Sequence, residues 1–202
     1  MKRDIITAEE IARIPPGTVC QLEAGAVITP LAADLAREKN IRFDPDGDVR
    51  QEIIALGADH GGFAAKEAVK KHLQARGFKV LDFGTHSEQP VDYPDFARRV
   101  GEAVAGGECR WGILLDGAGI GSSMAANKVP GVLAALCCDD MAARNSREHN
   151  YANVLALGAK MHPVDRLLSI VDVWLATPFG ESRHGRRVQK IREIERDYLR
   201  KH

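Results

Sequence analysis

Trp111-Gly-Ile-Leu-Leu-Asp116-Gly-Ala-Gly-Ile-Gly121-Ser-Ser sets a short continuous apolar run directly before a glycine-rich turn, and an apolar segment over 122–127 follows with helical spacing. An apolar run this short, bounded by glycine and charge, reads as a parallel strand buried on both faces. Outward from it, runs of the same kind lie at 53–57, 79–83, 132–138 and 153–157. Helical patterns fall between and after them, at 63–75, from 94 onward (Phe96, Ala97, Val100, Ala103, Val104), and at 140–149, 164–176 and 186–201. Five strands alternating with helices predict an α/β fold, a doubly wound, Rossmann-like parallel sheet with helices on both faces. Such sheets bind ligands beyond the carboxyl ends of their strands.

The 202 residues suffice for one ordinary domain with a short appendage, and 45% hydrophobic with 28% charged residues excludes disorder as the main state. Lys plus Arg number 28 and Asp plus Glu 28, a balance that points away from nucleic acid and from an anionic membrane. No apolar run approaches the length of a bilayer span, and the amino terminus lacks an export pattern, so a cytoplasmic chain is expected. Cys20, Cys109, Cys137 and Cys138 form no C-x-x-C pair, and adjacent Cys137 and Cys138 would point to opposite faces of a strand. The polar stretch Asp44-Pro-Asp-Gly-Asp-Val-Arg-Gln predicts a linker over 45–52 between an extension, 1–44, and a main domain, 53–202. In the extension, Thr7-Ala-Glu-Glu10 has the form of a capping box whose helix Pro15-Pro16-Gly17 stops, and Thr29-Pro30 starts a second helix ended by Asn40. So few residues build little core alone.

The chemistry-bearing residues gather after the strands. The backbone amides of Gly117-Ala-Gly-Ile-Gly-Ser-Ser123 could converge on an anion, or the glycines could serve tight packing alone. There is no Lys-Ser/Thr pair after them, and the third glycine of the dinucleotide fingerprint is missing, which disfavours ATP and NAD. Asp59 and His60, after the first strand of the main domain, either face the same crevice or act as a helix cap and a surface residue. Arg144-Asn-Ser-Arg147-Glu-His149-Asn150 offers an imidazole suited to proton transfer, or is a solvated face. Arg183 and Arg187 share one helix face that suits a phosphate, on a helix that is basic in any case. Val188, Ile191, Ile194 and Tyr198 form that helix's apolar stripe, expected to meet the core or a subunit.

Gly57-Ala-Asp-His-Gly-Gly62, Gly84-Thr85, Val91-Asp-Tyr-Pro94, Gly117-Ala-Gly-Ile-Gly121, Ala125-Ala-Asn-Lys128, Ser146-Arg-Glu-His-Asn150, Asn153-Val-Leu-Ala-Leu-Gly158 and Arg183-His184, in this order, resemble the type B ribose-5-phosphate isomerases and the related galactose-6-phosphate isomerase subunits. The resemblance implies an aldose–ketose isomerase of a phosphorylated sugar, ribose 5-phosphate first. The reaction would run through an enediolate in a cleft shared by two subunits, with no metal or organic cofactor. It implies that Asp59 contacts sugar hydroxyls, that His60, Arg183 and Arg187 hold the phosphate, and that Tyr93 lines the cleft. His149 would open the sugar ring, Asn150 would orient the sugar, and the amides of Gly117, Ala118, Gly119, Ile120, Gly121, Ser122 and Ser123 would stabilise the enediolate. The base departs from the family pattern. Its usual Cys is Asp116 here, the Glu of another branch is Ser122, and a frequent hydroxyl residue is Ala118. Asp116 is then either the base or a hydrogen-bonding loop residue of a sugar-phosphate-binding or scaffold protein with altered or lost activity.

Ile6-Thr-Ala-Glu-Glu and Ile28-Thr-Pro-Leu-Ala-Ala-Asp-Leu-Ala resemble segments on proteins of bacterial microcompartments. That resemblance implies a targeting or assembly arm over 1–44 that meets shell or cargo proteins; the alternative is an arm packed on the core or on a second subunit.

Overall fold

The computed structural model describes residues 5–15, 19–21, 27–39, 41–44, 53–180 and 182–200. The expected linker, Pro16-Gly17, Asn40 and Lys201 lie outside the described residues. The chain divides into two units, Met1–Arg50 and Gln51–His202.

In the first unit, Thr7 caps α1 (Ala8–Arg13) through a reciprocal capping box with Glu10, and Thr29 caps α2 (Pro30–Glu38) with Pro at its first position. Both caps follow from the sequence. Four short strands do not: β1 (Ile5–Ile6) pairs in parallel with β3 (Val27–Ile28), and β2 (Val19–Gln21) with β4 (Arg42–Asp44). Runs of two or three residues are too short to show a period. Ile11, Ala32, Ala36 and Ile41 are buried among Ile6, Ile14, Cys20, Ile28 and Leu35, so the described residues of the extension have a core of their own, a small one as its length suggested.

The second unit is the predicted α/β layer structure. β5 (Ile53–Ala58), β6 (Lys79–Asp82), β7 (Trp111–Asp116), β8 (Ala134–Leu136) and β9 (Val154–Gly158) form one wholly parallel sheet in the order β6-β5-β7-β9-β8. Successive side chains alternate between the two faces. Ile54, Leu56, Ile113, Leu115, Leu155 and Leu157 pack on one side beneath α3 (Phe63–Ala75), α6 (Asp140–Glu148) and α7 (Val164–Ala176). Ala55, Leu114, Val154 and Ala156 pack on the other beneath α4 (Tyr93–Ala105) and α5 (Ile120–Ala126). The run expected to be a strand over 132–138 contracts to β8, because Asp139 leaves the sheet to cap α6, its carboxylate accepting the Ala142 amide at 2.7 Å. Cys137 and Cys138 fall just beyond the shortened strand, the first buried and the second exposed. The last helix, α8 (Ser182–Leu199), starts earlier than expected and takes in Arg183 and Arg187. Its stripe divides: Val188 is buried, whereas Ile191, Ile194 and Tyr198 are exposed beside a groove of about 710 Å³ against the 127–133 loop.

The chain leaves β5 for one side of the sheet and returns for β7 on the other, so the switch point, where such folds bind ligands, lies between the carboxyl ends of β5 and β7. Gly62 makes the close approach there possible. A Cβ at this residue would stand 2.3 Å from the carbonyl oxygen of Leu115, part of the backbone of β7. Gly62→Ala is therefore expected to cost stability at the upper end of the roughly 1–3 kcal/mol typical of overpacking, because backbone cannot rotate away. Urea unfolding checks this, and an unchanged midpoint would refute the close approach.

Candidate functional site

At the switch point, the Asp59 amide donates to the Leu115 carbonyl at 3.2 Å, and the Asp59 carboxylate, nearly buried, accepts the Gly62 amide at 2.9 Å. Asp59 thus turns the chain into α3 without capping it from the N-cap position, which Gly62 occupies. His60 Nδ1 accepts the Val91 amide at 3.3 Å, bringing the 84–92 loop alongside. Two residues on, Tyr93 opens α4 and is pressed against the glycine loop; a Cβ on Gly121 would meet its ring at 2.6 Å. Asp59, His60, Tyr93 and residues 116–123 are thereby gathered at the carboxyl end of the sheet.

Asp116 is buried at 5% exposure, and the loop has closed on its carboxylate. Oδ1 accepts the amides of Ala118, at 2.8 Å, and Gly119; Oδ2 accepts the Ser122 amide at 2.9 Å. Burial would raise this acid's pKa, but hydrogen bonds from the Ser122 hydroxyl and from the Ser122, Gly119 and Ala118 amides outweigh it, holding the carboxyl below the ordinary 3.8. Gly119, with φ +77°, turns the chain into α5, two residues earlier than the apolar pattern suggested. A correction follows for the expected anion hole. The amides of Ala118, Gly119 and Ser122 are spent on Asp116, and that of Ser123 on the Gly119 carbonyl, so of the seven expected donors only those of Gly117, Ile120 and Gly121 are not engaged in this way.

The reading from sequence missed Lys160. Its amide donates to the Gly117 carbonyl at 3.0 Å, and its exposed side chain passes within 3.7 Å of where a Gly117 Cβ would stand. A single lysine in a loop carries no spacing signal.

The other expected residues lie elsewhere. α6 runs antiparallel to the strands, so His149 and Asn150, just after it, emerge at the amino end of the sheet, where the Gly112 amide at the start of β7 donates to the Asn153 carbonyl. α7 likewise returns the chain to that end before α8 begins. There the His149 ring stacks on that of His184 at 4.1 Å, Asn145 Nδ2 lies 3.0 Å from His149 Nδ1, and Arg183 Nε lies 3.3 Å from His184 Nε2. Arg183 and Arg187, both exposed, follow on one face of α8. β9 spans four residue steps between the two ends, about 13 Å at the usual strand rise. Within one chain His149, Asn150, Arg183 and Arg187 cannot meet Asp59, His60, Tyr93 and Asp116 around one small sugar.

The family profile described as Ribose/Galactose Isomerase matches residues 54–191. The chain belongs to this family. Among relatives, the ribose-5-phosphate isomerase B of Escherichia coli (strain K12) is 45% identical over 142 residues, 70% of this chain and 95% of its own length. A putative sugar phosphate isomerase of Bacillus subtilis (strain 168) is 38% identical over 147 residues, covering 72% and 99%. The structure of Clostridium thermocellum ribose-5-phosphate isomerase B superposes with a TM-score of 0.72 at 52% identity, over 72% of this chain and 99% of that one. The Mycoplasma genitalium ribose-5-phosphate isomerase B, solved with bound ribulose-5-phosphate, does so with a TM-score of 0.69 at 39% identity, over 71% and 96%. The family match starts at the second residue of β5. Among the described residues no helix is long and apolar enough to cross a membrane, and no group of three or more His, Cys, Asp or Glu could hold a metal ion.

Proposed function

We propose that this protein interconverts ribose 5-phosphate and ribulose 5-phosphate through an enediolate, in clefts that two copies of the chain build together. Family membership supports the reaction class. The observation that carries the shared cleft is the separation of the two residue groups by the height of the sheet. Asp59, His60, Tyr93 and the glycine loop come from one copy, and His149, Asn150, Arg183 and Arg187 from the other. A homodimer, or a larger assembly of such dimers, is then the smallest active unit.

In this cleft Asp59 holds sugar hydroxyls, Tyr93 closes one side, and His60 with the partner's Arg183 and Arg187 grips the phosphate. The partner's His149 opens the ring while the partner's Asn150 orients the open sugar. Asp116 takes the C2 proton. Its negative charge moves to the enediolate oxygens, so the donors of the loop face an anion before and after the transfer, first through Ala118, Gly119 and Ser122 and then also through Gly117, Ile120 and Gly121. The hydrogen bonds that hold the carboxyl pKa down oppose this step, so a slow isomerase is expected. The same bonds favour one rival, a protein that binds sugar phosphates or serves as a scaffold without turning them over.

Proton NMR with ribose 5-phosphate in deuterated water decides between them. The expected result is loss of the C2 proton signal with appearance of ribulose 5-phosphate. Binding without exchange, for ribose 5-phosphate and then galactose 6-phosphate, would establish the rival. Residues 1–44, with a core of their own, fit a self-standing arm that docks this cytoplasmic enzyme to microcompartment shell or cargo proteins. Deleting them should abolish co-purification with a shell and spare isomerase activity, and retained co-purification would reject the arm's role.

A further inference from the structure

Arg147, in the cluster that the sequence left open as a solvated face, is 4% exposed. Its guanidinium lies 3.8 Å from the ring centroid of Trp111, 4.5 Å from that of Phe179 and 4.6 Å from that of Trp174. Nη1 donates to the carbonyl of Ala152 at 2.8 Å and Nε to that of Thr177 at 3.2 Å. The first carbonyl ends the turn that carries His149 and Asn150. The second begins the loop that leads into α8 with Arg183 and His184.

Around this cation the two segments are joined tightly. The Gly180 amide donates to the Glu148 carbonyl at 2.9 Å, so closely that a Cβ on Gly180 would stand 2.5 Å from that oxygen. The Tyr151 hydroxyl donates to the Gly180 carbonyl at 2.9 Å, its ring stacks on Phe179 at 4.5 Å, and its backbone takes the left-handed φ of +56°. The two segments end with His149 stacked on His184.

We propose that Arg147 is the positioning residue of this half-site, its caged guanidinium fixing the histidine-bearing turn against the arginine-bearing loop. A buried charge is costly unless it is fully engaged, and an apolar side chain would fill an aromatic slot more cheaply. Only a planar fork of donors lies flat between rings while reaching carbonyls of two segments; a lysine offers one point charge. Arg147 touches no substrate in this arrangement. It acts through the placement of His149, for ring opening, and of Arg183, for the phosphate, and in this it rests on the isomerase reading above.

The test uses the full chain with Arg147→Met and Arg147→Lys, each checked for fold by circular dichroism and for oligomeric state by light scattering. Steady-state kinetics with ribose 5-phosphate and calorimetry with inorganic phosphate are then measured. Displaced arginines should raise both KM and the phosphate Kd by about 5-fold or more in Arg147→Met, with Arg147→Lys between it and wild type and kcat reduced in both. A merely structural role would lower kcat with the folded fraction and leave KM and Kd alone. Wild-type KM and Kd in a folded variant overturn the proposal, and if Arg147→Met fails to fold, Arg147→Lys decides. A wild-type protein that binds phosphate without turnover removes the isomerase reading while the phosphate Kd still judges Arg147. One that does neither overturns both.

Discussion

Asp116→Ala is expected to lower C2 proton exchange by about 100-fold or more, the usual contribution of a positioned general base. Asp116→Asn should do nearly the same, although it keeps the size of the side chain and one acceptor oxygen. The alanine variant also orphans the buried amides of Gly119 and Ser122, for which a loss of about 1–3 kcal/mol in unfolding free energy is expected. Exchange and unfolding must therefore be measured on the same samples. Turnover within a few-fold of wild type in a folded Asp116→Asn protein would leave Asp116 with the shape of the loop and nothing more.

The direction of its pKa shift adds a second signature. Asp116 is held below its ordinary 3.8 by the loop's hydrogen bonds, so its basic form is fully populated from about pH 8 to about pH 5, and the step it performs should not weaken across that range. The stability it contributes follows the same sign. A lowered native pKa stabilises the folded chain above the unfolded pKa, and the contribution is lost as pH falls below about 4 through the native value. Wild type should lose stability there relative to Asp116→Asn, which has no such group to protonate. Parallel acid unfolding curves for the two proteins would contradict the shift.

Mixing two inactive proteins should restore activity. Asp116→Ala is defective at the carboxyl end of the sheet and His149→Ala at the amino end, so in a mixed dimer one cleft collects both defects and the other neither. Random re-pairing of equal amounts would return about a quarter of wild-type activity per chain, because half the dimers are mixed and each has one intact cleft. Refolding or slow subunit exchange of the two variants, followed by an isomerase assay, makes the measurement. No recovery, with mixed dimers demonstrated, would place both residues in one chain's site and overturn the shared cleft.

The sheet, its five strands and most of its helices were legible because burial on both faces imposes apolar runs such as Ile113-Leu-Leu115 and Leu155-Ala-Leu157, and amphipathic helices must alternate with them. The ordered motifs from Gly57 to His184 likewise implied the family, and the profile match bears that out. Both are local information, carried by period and by neighbouring residues. Three things were not local. The state of Asp116 depends on amides folded back from Ala118, Gly119 and Ser122, and a Gly-Ala-Gly-Ile-Gly string is equally compatible with amides turned to a ligand. Arg147 reads as one more charge in a polar helix until Trp111, Trp174 and Phe179, far apart in the chain, close around it. The distance between His149 and Asp116 is set by the antiparallel course of α6 across the height of the sheet, which leaves no trace in spacing. The sequence by itself determined the layers and the inventory of functional groups, because these follow from what each short segment must bury or expose. Only the tertiary structure decided which of those groups share an end of the sheet, because that depends on where the chain returns after each helix.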